Sequence, residues 1–272
     1  MNMKTSNSRI NAFTINRLGG SFFPLSVKVD QQQNVSSIFV CAQSVVDVCD
    51  LIIKHAKSHL VLFGVEQTSK FEENTNNPLP LKGLAVEARV SFSALDSETL
   101  DLPKASLLPL LTTFDHHNLN LFDVESDWGE NQVISQILAY QDHKWQEKTF
   151  LLQNMPSSQL FLTSFDDCYL TIESYNPEIS KEVFARTLQI FSGTYLESRI
   201  NLGGDLPEIP VELVNSFWRD NFGLTILEQN TRILDGCLKI GVSLKPFNFT
   251  DSLEYPSEEW LVYNIQNQTW FY

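Results

Sequence analysis

The sequence predicts an α+β fold of mainly antiparallel sheets built from hairpins, with about four packed helices. Three observations carry this expectation. Segments with period-two hydrophobicity come in neighbouring pairs joined by short turns, rather than in a regular strand–helix–strand rhythm. Two helical segments are punctuated at both ends by capping residues, proline or glycine. Finally, 272 residues that are 43% hydrophobic, with 19 Phe and 5 Trp, can bury a sizeable core.

Phe22–Val29 and Val35–Cys41 read as a first hairpin turning at Gln31–Asn34. Across Ala42–Ser58, Val45, Val48, Ile52 and Ala56 recur at helical spacing, with Asp47, Asp50, Lys54 and Lys57 on other faces. His59–Val65 is short and rich in β-formers, hence a strand. Glu66–Gly83 has the Asn, Pro and Glu content of a surface loop, including Glu72 and Glu73. Leu84–Phe92 alternates as a half-buried strand does. Pro103 and Pro109 break any long helix within Ala94–Glu130 and leave short pieces packed on the core. Asn131–Trp145 is helical, with Val133, Ile134, Ile137, Leu138 and Tyr140 as its apolar side.

Thr149–Gln153, Gln159–Thr163 and Cys168–Glu173 read as short strands, the last two linked through Ser164–Asp167. Asn176 caps the next helix, Pro177 sits in its first turn and Gly193 follows its end. Thr194–Asn201 then reads as a strand turned by Gly203-Gly204. Pro210–Phe222 is a helix closed by Gly223. Asp235-Gly236 between Leu224–Leu234 and Cys237–Leu244 is the strongest hairpin signal in the chain. Trp260–Ile265 and Thr269–Tyr272 close it with a hairpin around Gln266-Asn267. A composition change at Met155-Pro156 suggests two α+β halves, 1–155 and 156–272; a single 13–272 domain is the alternative. The polar residues 1–12 are expected to fray.

Acidic residues number 33 against 19 basic, a formal charge of −14. Nucleic-acid binding needs clustered Lys and Arg and is disfavoured, whereas a basic protein partner would be attracted and steered. Cys41, Cys49, Cys168 and Cys237 form no C-x-x-C pair, so neither a disulfide framework nor a structural zinc site is expected. The N-terminal residues hold no apolar h-region, and no apolar run approaches the length that crosses a bilayer. The expectation is a soluble cytoplasmic protein without membrane contact. Gly19-Gly20 and Gly203-Gly204 fit no phosphate-cradling pattern, and no cofactor is expected.

Asp115, His116 and His117, with Asp123, Glu125 and Asp127 close behind, form the most suggestive titratable cluster. Imidazoles beside carboxylates can hold a divalent ion, although neighbouring side chains of an extended segment point to opposite faces. His55 and His59 share a spacing that suits a helix C-terminus more than a metal. Near the C-terminus, Tyr255 beside Pro256 and Trp260 after Glu258-Glu259 are aromatics with an acidic surround. Such a tryptophan can anchor a partner's Arg or Lys. The candidate partner-binding set is Tyr255, Glu258, Glu259, Trp260, Glu72 and Glu73. Leu206-Pro207 through Trp218 to Gly223 resembles the Leu-Pro…Trp/Phe…Asn-Gly opening of the SUKH immunity-protein family over a small part of the chain. Phe222 interrupts the Asn-Gly, and no residue role is carried over.

Two functions follow as expectations. One is a non-catalytic acidic binding protein that docks a basic protein and blocks or sequesters it, as an immunity protein or antitoxin does. The other is a metal-assisted hydrolase assembled around Asp115, His116, His117 and Asp127.

Overall fold

The computed structural model describes residues 25–41, 43–63, 88–91, 98–108, 111, 118–125, 127, 129–143, 150–155, 157–165, 169–202, 206–218, 222–245 and 259–271. Among them the strands are β1 (Ser26–Gln32), β2 (Val35–Cys41), β3 (His59–Phe63), β4 (Ala88–Ser91), β5 (Glu98–Pro103), β6 (Asn118–Val124), β7 (Leu160–Phe165), β8 (Tyr169–Ser174), β9 (Phe222–Leu234), β10 (Cys237–Ser243), β11 (Glu259–Asn264) and β12 (Thr269–Phe271). The α-helices are α1 (Cys49–His55), α2 (Glu130–His143), α3 (Pro177–Ile200) and α4 (Val211–Phe217). The mixed α+β class is as expected. No helix among the described residues is long and apolar enough to cross a membrane. Two compact units are assembled from separated segments: Met1–Asp30, Val40–Gln43 and Lys181–Tyr272 in the first, Gln31–Phe39 and Ser44–Ser180 in the second.

In the second unit the strand order is β2-β8-β7-β6-β3-β5-β4. β3 runs antiparallel to both β5 and β6, and β6 to β7 to β8. Every residue of β3 is buried, so both of its faces are covered. On one face Val61, Phe63, Phe122, Val124 and Phe161 meet Val133 and Ile137 of α2, with Leu151, Leu152 and Met155 closing the cluster. Tyr140 stands edge-on to Phe63 at 5.1 Å, a favoured aromatic geometry.

Three local expectations change here. Glu98–Pro103 and Asn118–Val124 are strands rather than short pieces. Pro103 ends β5 opposite His59, where a missing N–H costs little. The described part of the expected strand Thr149–Gln153 is not a strand; Leu151–Asn154 forms a 3₁₀ turn. The turn buries the consecutive Leu151 and Leu152, which the alternating faces of a half-buried strand do not do.

In the first unit the order is β12-β11-β10-β9-β1, each neighbour antiparallel. The turn at Asp235-Gly236 has both residues left-handed, φ 52° and 72°, as a tight hairpin requires. One face of this sheet presents Val27, Leu224, Ile226, Leu238, Ile240, Leu261 and Tyr263, all buried. Phe184 of α3 packs edge-on to Phe222 at 5.3 Å. β9 bulges: Leu227 pairs Gly241 and Arg232 pairs Lys239, so 228–231 oppose Ile240 alone. Tyr195 Oη donates to Thr231 O at 2.6 Å and Thr231 Oγ1 to Leu227 O at 3.0 Å, pinning the bulge.

Of Thr194–Asn201, expected as a strand, Thr194–Ile200 belongs to α3, which runs through Gly193 to Ile200. Gly193 is not a stop signal. A Cβ there would overlap the Leu206 side chain, so the glycine admits a close approach. Ile190 to Leu196 are buried all round, which erases the amphipathic period on which a sequence assignment relies. The hydroxyls of Thr187, Ser192 and Thr194 each donate to the carbonyl four residues back, which satisfies them inside the helix. α4 ends at Phe217, short of the expected Phe222, because Phe222 is drawn into β9 opposite Val29.

Candidate functional site

A dense polar network lies in the second unit. Asp123, fully buried at the end of β6, accepts backbone N–H bonds from Lys57 (2.9 Å), Gln159 (2.8 Å) and Leu160 (2.9 Å). Burial raises its pKa above the ordinary 3.8, against the pull of these bonds and of the Lys57 charge. Lys57 Nζ donates to Ser157 O at 2.9 Å and lies 3.6 Å from Glu125. Ser158 Oγ donates to Gln136 Oε1 at 2.6 Å and lies 2.8 Å from the Asp123 carbonyl. His55 Nδ1 meets Asn176 Nδ2 at 3.2 Å. Every carboxylate oxygen of Asp123 thus holds backbone in place, joining the start of β3, the end of β6 and the start of β7. Glu173 does the same for Leu152 N at 2.8 Å, and Asp47 for Ser44 N at 3.3 Å. These acids are structural clasps.

Asp115, His116 and His117 lie outside the described residues, as do Tyr255, Glu258, Glu72 and Glu73. Asp127 is exposed in a turn. Among the described residues, no three His, Cys, Asp or Glu side chains come together in a way that could hold a metal ion. Cys41 and Cys49 are buried, and burial with the nearby Asp50 charge pushes the Cys49 thiol up to about 12.

Glu259 and Trp260 are both exposed, but consecutive residues of β11 face opposite ways. The carboxylate next in sequence therefore does not share the face of the indole. Arg232 does: its guanidinium carbon is 5.1 Å from the Trp260 ring centroid. The tryptophan already holds a cation, and that cation comes from its own chain.

A second surface was not legible in the sequence. Past the buried part of α3, Ile200 and Leu202 are exposed at 42% and 46%, beside the exposed Glu197. The chain then folds back onto α3 where Leu206 packs at Gly193, buries Ile209 and Leu213, and exposes Glu208, Val211 and Glu212. Arg199, the cation in this stretch, is stacked on Tyr195 at 5.4 Å. This stretch, the shoulder after α3, thus exposes three apolar side chains and three carboxylates. Read as a strand, 194–201 would have spread these side chains over two faces.

Compared with protein-family models, with curated protein sequences and with solved structures, the chain gives no match.

Proposed function

We propose that this chain is a non-catalytic cytoplasmic binding protein whose partner is a basic protein, which it blocks or sequesters. The supporting observation is the shoulder after α3, which exposes Ile200, Leu202 and Val211 together with Glu197, Glu208 and Glu212 in a chain of net charge −14. Apolar side chains give such a contact its area, and the carboxylates select a cationic partner and speed its approach. The buried acids Asp123, Glu173 and Asp47 are occupied by backbone amides, whereas Glu197, Glu208 and Glu212 are exposed.

Affinity capture of the intact protein from native extract tests this. The expected result is a basic polypeptide whose recovery falls steeply as salt shortens the screening length to about 8 Å at physiological strength. Glu208→Gln and Glu212→Gln should each weaken capture about threefold, in keeping with rim charges, and leave the unfolding midpoint unchanged. Capture indifferent to salt and to both substitutions rejects the proposal. So does a stoichiometric divalent metal with no protein partner, a result that would turn attention to Asp115, His116, His117 and Asp127.

A further inference from the structure

The exposed face of the β9–β12 sheet carries a pair of like charges that no carboxylate among the described residues compensates. Lys239 stands directly opposite Arg232 in the β9–β10 ladder, so both side chains leave on one face. Like charges in that relation destabilise a ladder. Two other cations do sit beside carboxylates: Lys28 is 2.6 Å from Asp30, and Lys57 is 3.6 Å from Glu125. Among the described residues neither Arg232 nor Lys239 has such a neighbour, although the chain has 33 acids for 19 bases. Arg232 instead lies against the Trp260 ring. Contact with the ring restrains the guanidinium, whose N–H groups can still donate to a carboxylate.

The row continues with apolar groups. Lys239 pairs with Val262 on β11, and Val262 with Phe271 on β12. Phe271 is 53% exposed and Trp260 40%. Arg232, Lys239, Val262 and Phe271 therefore run in register across four strands, about 15 Å at roughly 4.8 Å per strand. One end is cationic and the other aromatic.

We infer that this face docks an acidic peptide segment of a partner protein, its carboxylates over Arg232 and Lys239 and an apolar side chain over Val262 and Phe271. The sign of the charge selects the occupant, since a basic segment would add to the repulsion already present. At about 3.3 Å per residue the row accommodates roughly five extended residues. The site takes the opposite charge from the shoulder after α3 and does not depend on the reading given above.

The test is fluorescence anisotropy with the full chain and a labelled five-residue peptide of two glutamates, threonine, phenylalanine and valine. Saturable binding is expected. Replacing the glutamates by lysine should abolish it, and replacing the last two residues by serine should weaken it about tenfold. Arg232→Gln and Lys239→Gln should each weaken binding about fivefold, while the unfolding midpoint stays level or rises because the repulsion is relieved. Absent binding, equal binding of the glutamate and lysine peptides, or variants that bind like the parent overturn the inference. Displacement by an equal concentration of tripolyphosphate also overturns it, in favour of a general anion site. Retained capture of a basic partner alongside any of these results removes this site alone.

Discussion

Asp123 is fully buried yet holds Lys57, Gln159 and Leu160 by their backbone amides, and removing one of its acceptor oxygens should have a readable cost. Asn in its place offers one acceptor oxygen and turns an NH₂ toward amides that need an acceptor. Asp123→Asn should lower unfolding stability by about 2–4 kcal/mol, checked by urea denaturation. Its titration has a definite sign. The folded pKa lies above the unfolded 3.8, so the folded chain binds the proton longer. The resulting stability is complete below pH 3.8 and is lost as pH rises through the folded value. Carboxyl-carbon NMR should place the Asp123 midpoint above 3.8; a midpoint below it contradicts the burial argument. The thiols give a second check at this scale. With its pKa near 12, Cys49 should resist iodoacetamide in the native protein at pH 8, while the half-buried Cys237 is modified. Peptide mapping that finds Cys49 labelled first would refute this. The clasp was not legible beforehand: Asp123 was visible as an acid near a His pair, but its partners at Lys57 and Gln159 are distant in sequence.

At the scale of elements, α3 turns on Gly193. Alanine at an ordinary helical position gains about 1 kcal/mol over glycine. Here the new Cβ meets Leu206, and overpacking costs about 1–3 kcal/mol. Gly193→Ala should therefore destabilise the protein on balance, and in a Leu206→Ala background the same change should become neutral or stabilising. Chemical denaturation of the double-mutant cycle measures that coupling, and additive effects would exclude the contact. The punctuation at Asn176 and Pro177 correctly marked where α3 begins, because capping is local: Asn176 Oδ1 accepts from Glu178 N at 3.1 Å. Its end was misread, because Gly193 answers to a residue beyond the helix. Asp235-Gly236 was legible for the same local reason, since only the two turn residues decide it. β5 and β6 were obscured by prolines and acids whose places make sense only once β3 lies between the strands.

For the whole molecule, sequence order and spatial order diverge. β1 pairs with β9 through Ser26↔Thr225 and Val29↔Phe222, so the first unit needs both an early and a late segment. A 156–272 fragment lacks β1 and should be unfolded or aggregated by circular dichroism and sedimentation; adding a Phe22–Gln32 peptide should recover part of its structure. A cooperatively folded 156–272 would show that β1 is dispensable. The charge balance was legible from composition, but which face carries which sign was not, because facing depends on register. The β9 bulge makes the point. Between Leu227 and Arg232 the chain advances by an odd step, yet their partners Gly241 and Lys239 share a side. Length in this short stretch thus works as a parity bit: one residue more or fewer would swing the guanidinium through the sheet, away from its indole, with no side chain changed at all.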